Sequence, residues 1–153
     1  MKRKFDDLNE MQFTLPEDWK VSGDVYSLPN GQGMINKENY LSKDGDVISF
    51  FAVHRDPDDF FGYYDNFLDN LSRLSQKYQL VGKYNIRLGD FVFPTYIIKG
   101  IENEFYSFQT FVNCADCLGC FMVSLKSYDG NFKAALKEEK VLVALVEVLR
   151  SVE

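Results

Sequence analysis

Only one histidine, one tryptophan and four prolines occur in this chain of 153 residues, and its three cysteines all fall within one short stretch, NCADCLGC at Asn113–Cys120. These scarcities remove chemistry first. A structural zinc takes four Cys or His ligands in a tetrahedron, and the CxxCxxC spacing of Cys114, Cys117 and Cys120 is one short. Nothing in the sequence places the sole histidine, His54, beside that segment, and the fourth cysteine of an iron–sulfur run is missing. No metal and no cofactor are therefore expected, Cys114, Cys117 and Cys120 being the only candidate ligands.

Long apolar runs are missing too. None follows the basic residues at the start, and the longest stretch, VLVALVEVL from Val141, is interrupted by Glu147, well short of the ~20 residues of a membrane span. With an odd number of cysteines, this favours reduced thiols and a cytoplasmic protein unless an export signal has been removed. Basic excess is lacking as well: a net charge of -6 opposes engagement of a phosphate backbone, so nucleic acid is not an expected partner. No glycine-rich loop joins a strand to a helix, and His54 near Asp56 and Asp58 has no nucleophile assigned to it, so no catalytic residue is expected.

What remains is ordinary globular composition, 46% hydrophobic and 26% charged, of a length suited to one domain over residues 1–153. Lys2-Arg3-Lys4, followed at once by acids, reads as a solvated terminus, with residues 1–10 flexible. Alternation from Met11 to Leu15 predicts a short strand. The Asp44-Gly45 pair turns YLSK into a second strand, Val47 to His54, whose continuous apolar character places it inside a sheet.

Asp56-Pro57-Asp58-Asp59 carries a cap, a first-turn proline and acids suited to a helix N-terminus. From there Phe60, Phe61, Tyr64, Phe67, Leu68, Leu71, Leu74 and Tyr78 predict an amphipathic helix of about five turns that ends before Gly82. Turns at Gly89-Asp90, at Glu102-Asn103 and in the cysteine segment divide the next stretch into a four-stranded meander: Leu80 to Leu88, Phe91 to Ile101, Glu104 to Cys114 and Cys120 to Ser127. Pro94 must sit where its missing N–H does no harm. A last helix starts near Asp129-Gly130-Asn131 and continues unbroken to the end.

A three-residue loop on the cysteine hairpin would put Cys117 and Leu118 in the turn, Gly119 in the left-handed position, and Cys114 opposite Met122. The thiols are then packing residues at a turn. Phe105, Tyr106, Phe108 and Phe111 occupy both faces of one strand, which helices on both sides of a sheet would bury.

This order of elements, with Phe13, Pro16 and Trp19 near the start and YSFQTFV at Tyr106–Val112, resembles the PsbP-like superfamily, which includes DcrB-like proteins and a nuclear-import regulator that binds the GTPase Ran. The resemblance implies an α+β fold, an antiparallel sheet of six to seven strands with the meander at its centre and helices on both faces, an α/β/α sandwich. It also implies docking to a protein assembly rather than catalysis. The expected function is thus a non-enzymatic protein-interaction module. The alternatives are a metal or thiol-redox protein using the CxxCxxC hairpin, and an acidic chaperone or immunity-type protein that binds one partner.

Overall fold

The computed structural model describes residues 1–23, 34–54, 78–102, 104–114 and 117–153. Its strands are β1 (Lys2–Phe5), β2 (Met11–Thr14), β3 (Lys20–Val21), β4 (Ile35–Leu41), β5 (Val47–His54), β6 (Tyr78–Leu88), β7 (Phe91–Gly100), β8 (Tyr106–Cys114) and β9 (Cys117–Leu125). Its helices are α1 (Phe132–Glu138) and α2 (Lys140–Arg150), with a 3-10 turn at Asp6–Leu8. The predicted helix from Pro57 lies outside the described residues, except for Tyr78, which opens β6 instead of closing the helix.

Seven strands form one antiparallel sheet in the order β3-β4-β5-β9-β8-β7-β6. The meander β6 to β9 is present, but it fills one half of the sheet rather than its centre, because β9 returns to pair with β5 and leaves β6 at an edge. As expected, β5 is an interior strand, with Phe50 and Phe51 buried on opposite faces. Pro94 lies one residue beyond the last β7–β8 pair, Thr95 opposite Thr110, so no ladder donor is lost there.

The residues expected to be a solvated terminus form a two-stranded ribbon, β1 with β2. Phe5 and Leu8 are buried in the main core. Phe13 projects from the ribbon into that core, its ring within 5.1–5.8 Å of those of Phe5, Tyr40, Phe50 and Phe121. The chain's last residues hold the ribbon down: Gln12 and Glu153 exchange backbone hydrogen bonds of 3.3 and 2.9 Å, and Thr14 N donates to Ser151 Oγ at 2.8 Å.

The C-terminal segment is two helices, not one. Asn131 caps the first, its Oδ1 accepting from Ala134 N at 3.1 Å. At Glu139 the backbone leaves helical geometry, with φ −81° and ψ 117°. Packing overrides the good helix propensity of AALKEEK there. Phe132 must stack on Tyr84 of the edge strand at 4.5 Å, while Leu142, Leu145 and Val148 join the core over β2, β5 and β9. The break lets each segment meet its own target.

These helices and the ribbon share one face of the sheet. On the other face Met34, Phe51, Tyr96, Ile98, Phe111, Leu118 and Cys120 form a second buried cluster. The described residues thus show an α+β fold with helices on one face; the helix expected on the second is the one from Pro57, outside them. Of the four aromatics singled out above, Phe108 and Phe111 are buried on opposite faces, Tyr106 is half-buried and Phe105 is exposed.

Burial also sets an alkaline limit. Desolvation pushes the Cys120 thiol above its ordinary value near 9, and pushes the Tyr40 phenol above its ordinary value near 10, with the adjacent Glu38 adding to the shift. The folded state therefore keeps protons that the unfolded chain releases, so this stability is full below pH 9 and declines as pH rises. Urea midpoints should fall progressively above pH 9. The decline should be shallower between pH 9 and 10 in Cys120→Ala and between pH 10 and 11 in Tyr40→Phe. Parallel profiles in all three proteins would contradict this.

Candidate functional site: the end of the sheet at the β6–β7 turn

One end of the sheet gathers most of the residues that the sequence marks for chemistry. There β5 ends at His54, β9 begins at Cys117, β8 ends at Cys114 and the β6–β7 turn projects. The cysteine hairpin differs from the three-residue loop expected. Cys114 stands directly opposite Cys117, leaving residues 115–116 as the connection, and Cys117, Leu118 and Gly119 belong to the strand.

Gly119 is a glycine because the Phe50 ring leaves no room: a Cβ there would lie 3.0 Å from the ring's Cε1. His54 is paired with Cys117 on the neighbouring strand, where nothing local in the sequence had placed it.

Two of the three cysteines can be assigned a state. Cys117 is disulfide-bonded and buried, its sulfur 3.7 Å from the Leu8 carbonyl oxygen. Cys120 is free, fully buried on the opposite face and paired with Phe51 and Phe111. The expectation of reduced thiols thus fails for Cys117, and with it the thiol argument for a reducing compartment. A disulfide sulfur supplies no thiolate to a metal, and among the described residues no group of three or more His, Cys, Asp or Glu is arranged to hold one.

A polar knot that sequence reasoning missed fastens the ribbon to β4. Arg3 Nε and Nη2 donate to Glu38 Oε1 and Oε2 at 2.9 and 2.6 Å, a two-pronged pair, and the buried Tyr40 hydroxyl donates to Oε1 at 3.2 Å. The hydrogen bond to Glu38 raises the Arg3 pKa. Nearby, Lys37 bonds Asp7 and holds its carboxyl below the usual range, with His54 adding a smaller attraction. The signal was present as Lys2-Arg3-Lys4, but its acidic partner is 35 residues away from Arg3. This knot has the chemistry of a clasp: its charges are spent on one another.

A cleft of about 540 Å³ opens between the β6–β7 turn and the end of α2, within the range of ligand pockets. Its lining includes Met11, Phe93, Val112 and Leu149, with Asn9, Asn113, Arg150 and Glu153 as polar members. Glu153 accepts from Gln12 Nε2 at 2.6 Å. Asn9 and the following Glu10 are both left-handed, with φ of 56° and 57°, a conformation that costs a non-glycine residue energy and is held by its surroundings. Phe91, also part of the lining, is 70% exposed, and Val92 beside it is exposed too. An aromatic ring left in water next to an apolar cleft is suited to packing against another surface.

No family model matches this chain, and no curated protein matches it in sequence. Solved structures resemble it in fold. A point mutant of protein Mog1 aligns with a TM-score of 0.55 and 11% identity, over 100% of this chain and 94% of that one. The Saccharomyces cerevisiae Ran-binding protein Mog1p aligns with a TM-score of 0.52 and 12% identity, over the same shares. At such identity the likeness is one of fold, and it agrees with the α+β architecture read from the sequence. Among the described residues no helix is long and apolar enough to cross a membrane.

Proposed function

We propose that this chain is a non-enzymatic protein-interaction module of the PsbP-like superfamily, docking a partner protein over the end of the sheet that carries the β6–β7 turn. The observation that carries this reading is Phe91, 70% exposed at the apolar cleft. The fold likeness to the Ran-binding protein Mog1p supports it and makes a Ran-type GTPase the first partner to try. Exposed aromatics of this kind anchor interfaces.

A photoreactive phenylalanine at position 91 should crosslink one defined protein in a lysate of the native organism. Phe91→Asp should lose that protein at least tenfold in retention, with an unchanged unfolding midpoint. Retention indifferent to Phe91→Asp, or no specific crosslink, contradicts the reading.

One observation favours the thiol-redox alternative, the disulfide at Cys117 beside His54. It requires turnover of a small disulfide substrate that Cys117→Ser abolishes. The interaction module requires none.

A further inference from the structure

The cleft between the β6–β7 turn and the end of α2 joins an apolar lining to a cation that no other group engages. Met11, Phe93, Val112 and Leu149 are buried there, Leu88 and Val152 are half-buried, and Phe91 stands out in water. The buried four make a floor and the other three make walls. An apolar body laid in the cleft would therefore take the exposed parts of Leu88, Phe91 and Val152 out of water.

Arg150 belongs to the same lining, in the last turn of α2, and is exposed. Among the described residues it makes no ion pair and no side-chain hydrogen bond, whereas Arg3, Lys4, Lys37 and Lys43 are each set against a carboxylate. Glu153, the one acid of the lining, is already engaged. Its carboxylate accepts from Gln12 Nε2 at 2.6 Å, and its backbone N–H and C=O both bond the backbone of Gln12. The unmatched chemistry of the cleft is thus a guanidinium, which has donors only, no acceptor, and a planar fork that fits a carboxylate.

We propose that this cleft binds a small apolar carboxylate, its hydrocarbon body against Leu88, Phe91 and Val152 and its carboxylate on Arg150. This goes beyond the interaction-module reading and does not rest on it. The volume of about 540 Å³ is in the range of small-ligand sites. One cation with one acid nearby favours a head group of a single negative charge over the two of a phosphate monoester. An ammonium on the same body would find the only carboxylate of the lining already bonded, and Arg150 would repel it. A neutral alcohol would keep the apolar contact and lose the charge-assisted hydrogen bonds, which are the stronger kind.

The test is a titration of the full chain, 15N-labelled, at pH 7 with octanoate, octanol and octylammonium, three probes that share one hydrocarbon body. Octanoate should bind saturably, at least tenfold more tightly than either of the others, and should shift the amides of Leu88, Phe91, Val112, Leu149 and Val152. The ammonium arm is a stringent control, because the net charge of -6 favours it everywhere else on the molecule. Arg150→Gln should bring octanoate down to the level of octanol, and Arg150→Lys, which keeps the charge without the fork, should restore part of the preference. Arg150 has no bond to lose, so neither variant should change the unfolding midpoint.

No saturation up to millimolar octanoate, equal affinity for the three probes, shifts outside the cleft, or a preference for octanoate that survives Arg150→Gln overturns the proposal. The crosslinking experiment at position 91 asks for a protein and is read separately from this one.

Discussion

Phe13→Ala should lower the stability of this protein by about 3–5 kcal/mol, the range for truncating a fully buried phenylalanine. Phe13 has no exposed surface and its ring touches four others, drawn from β1, β4, β5 and β9. Edge-to-face geometry dominates: the interplanar angles with Tyr40, Phe50 and Phe121 are 80°, 74° and 77°. Such pairs add to the area term. No neighbour can collapse into the space without abandoning another ring, so the cavity should stay open. Since a domain of this kind is stable by about 5–15 kcal/mol, the variant should be near its limit, with a melting temperature lower by on the order of 10 °C. Phe13→Leu should retain most of the loss, and Phe91→Ala, at an exposed ring, should stay within about 0.5 kcal/mol. If Phe13→Ala costs under about 1 kcal/mol in urea unfolding, the ribbon does not belong to the core.

The ribbon shows where sequence reading stops. Met11–Thr14 was legible as a strand from its alternation, and Asn131 as a helix cap, because both signals are local. The meander was legible for the same reason: Gly89-Asp90 is a turn between alternating runs. The partner of β2 was not, since KRKF carries three charges and its strand character comes from pairing with β2 and from the Arg3–Glu38 contact.

Non-local pairing defeated the site likewise. The burial of β5 could be read from Ile48 to Val53, yet its neighbour β9 follows more than sixty residues later, and only that pairing brings His54 to Cys117. A one-residue difference in a hairpin loop changes which residues share a face, and the three-residue loop that Gly119 suggested gives way to a two-residue connection between Cys114 and Cys117. The cleft had no sequence signal at all, because Met11, Phe93, Val112 and Leu149 meet only in the folded chain. Phe91 could have been noticed as an aromatic directly after a tight turn, but its exposure could not.

Gly119→Val should be the most damaging substitution in the cysteine hairpin. Two accounts of this glycine make different predictions. A glycine in the left-handed turn would be required for backbone conformation, and any side chain would project into solvent. In the strand it is required for space: the first carbon of a side chain would sit 3.0 Å from Phe50 Cε1, 3.4 Å from its Cζ and 3.6 Å from the Val112 carbonyl oxygen. Phe50 is fully buried among Phe5, Phe13 and Phe121, so the ring cannot withdraw without displacing them. Overpacking a core in this way costs about 1–3 kcal/mol for a modest intrusion, and valine's two further carbons place it at or above the upper end.

A double-mutant cycle separates the accounts. If the Phe50 ring is the obstacle, Phe50→Leu should relieve the clash, and the two substitutions together should cost less than their sum by at least about 1 kcal/mol. A conformational requirement at Gly119 would leave the costs additive to within about 0.5 kcal/mol. The same cycle tests the register of β5 against β9, because with Ala52 opposite Gly119 and Phe121 opposite Phe50 the Phe50 ring is the diagonal neighbour of that glycine.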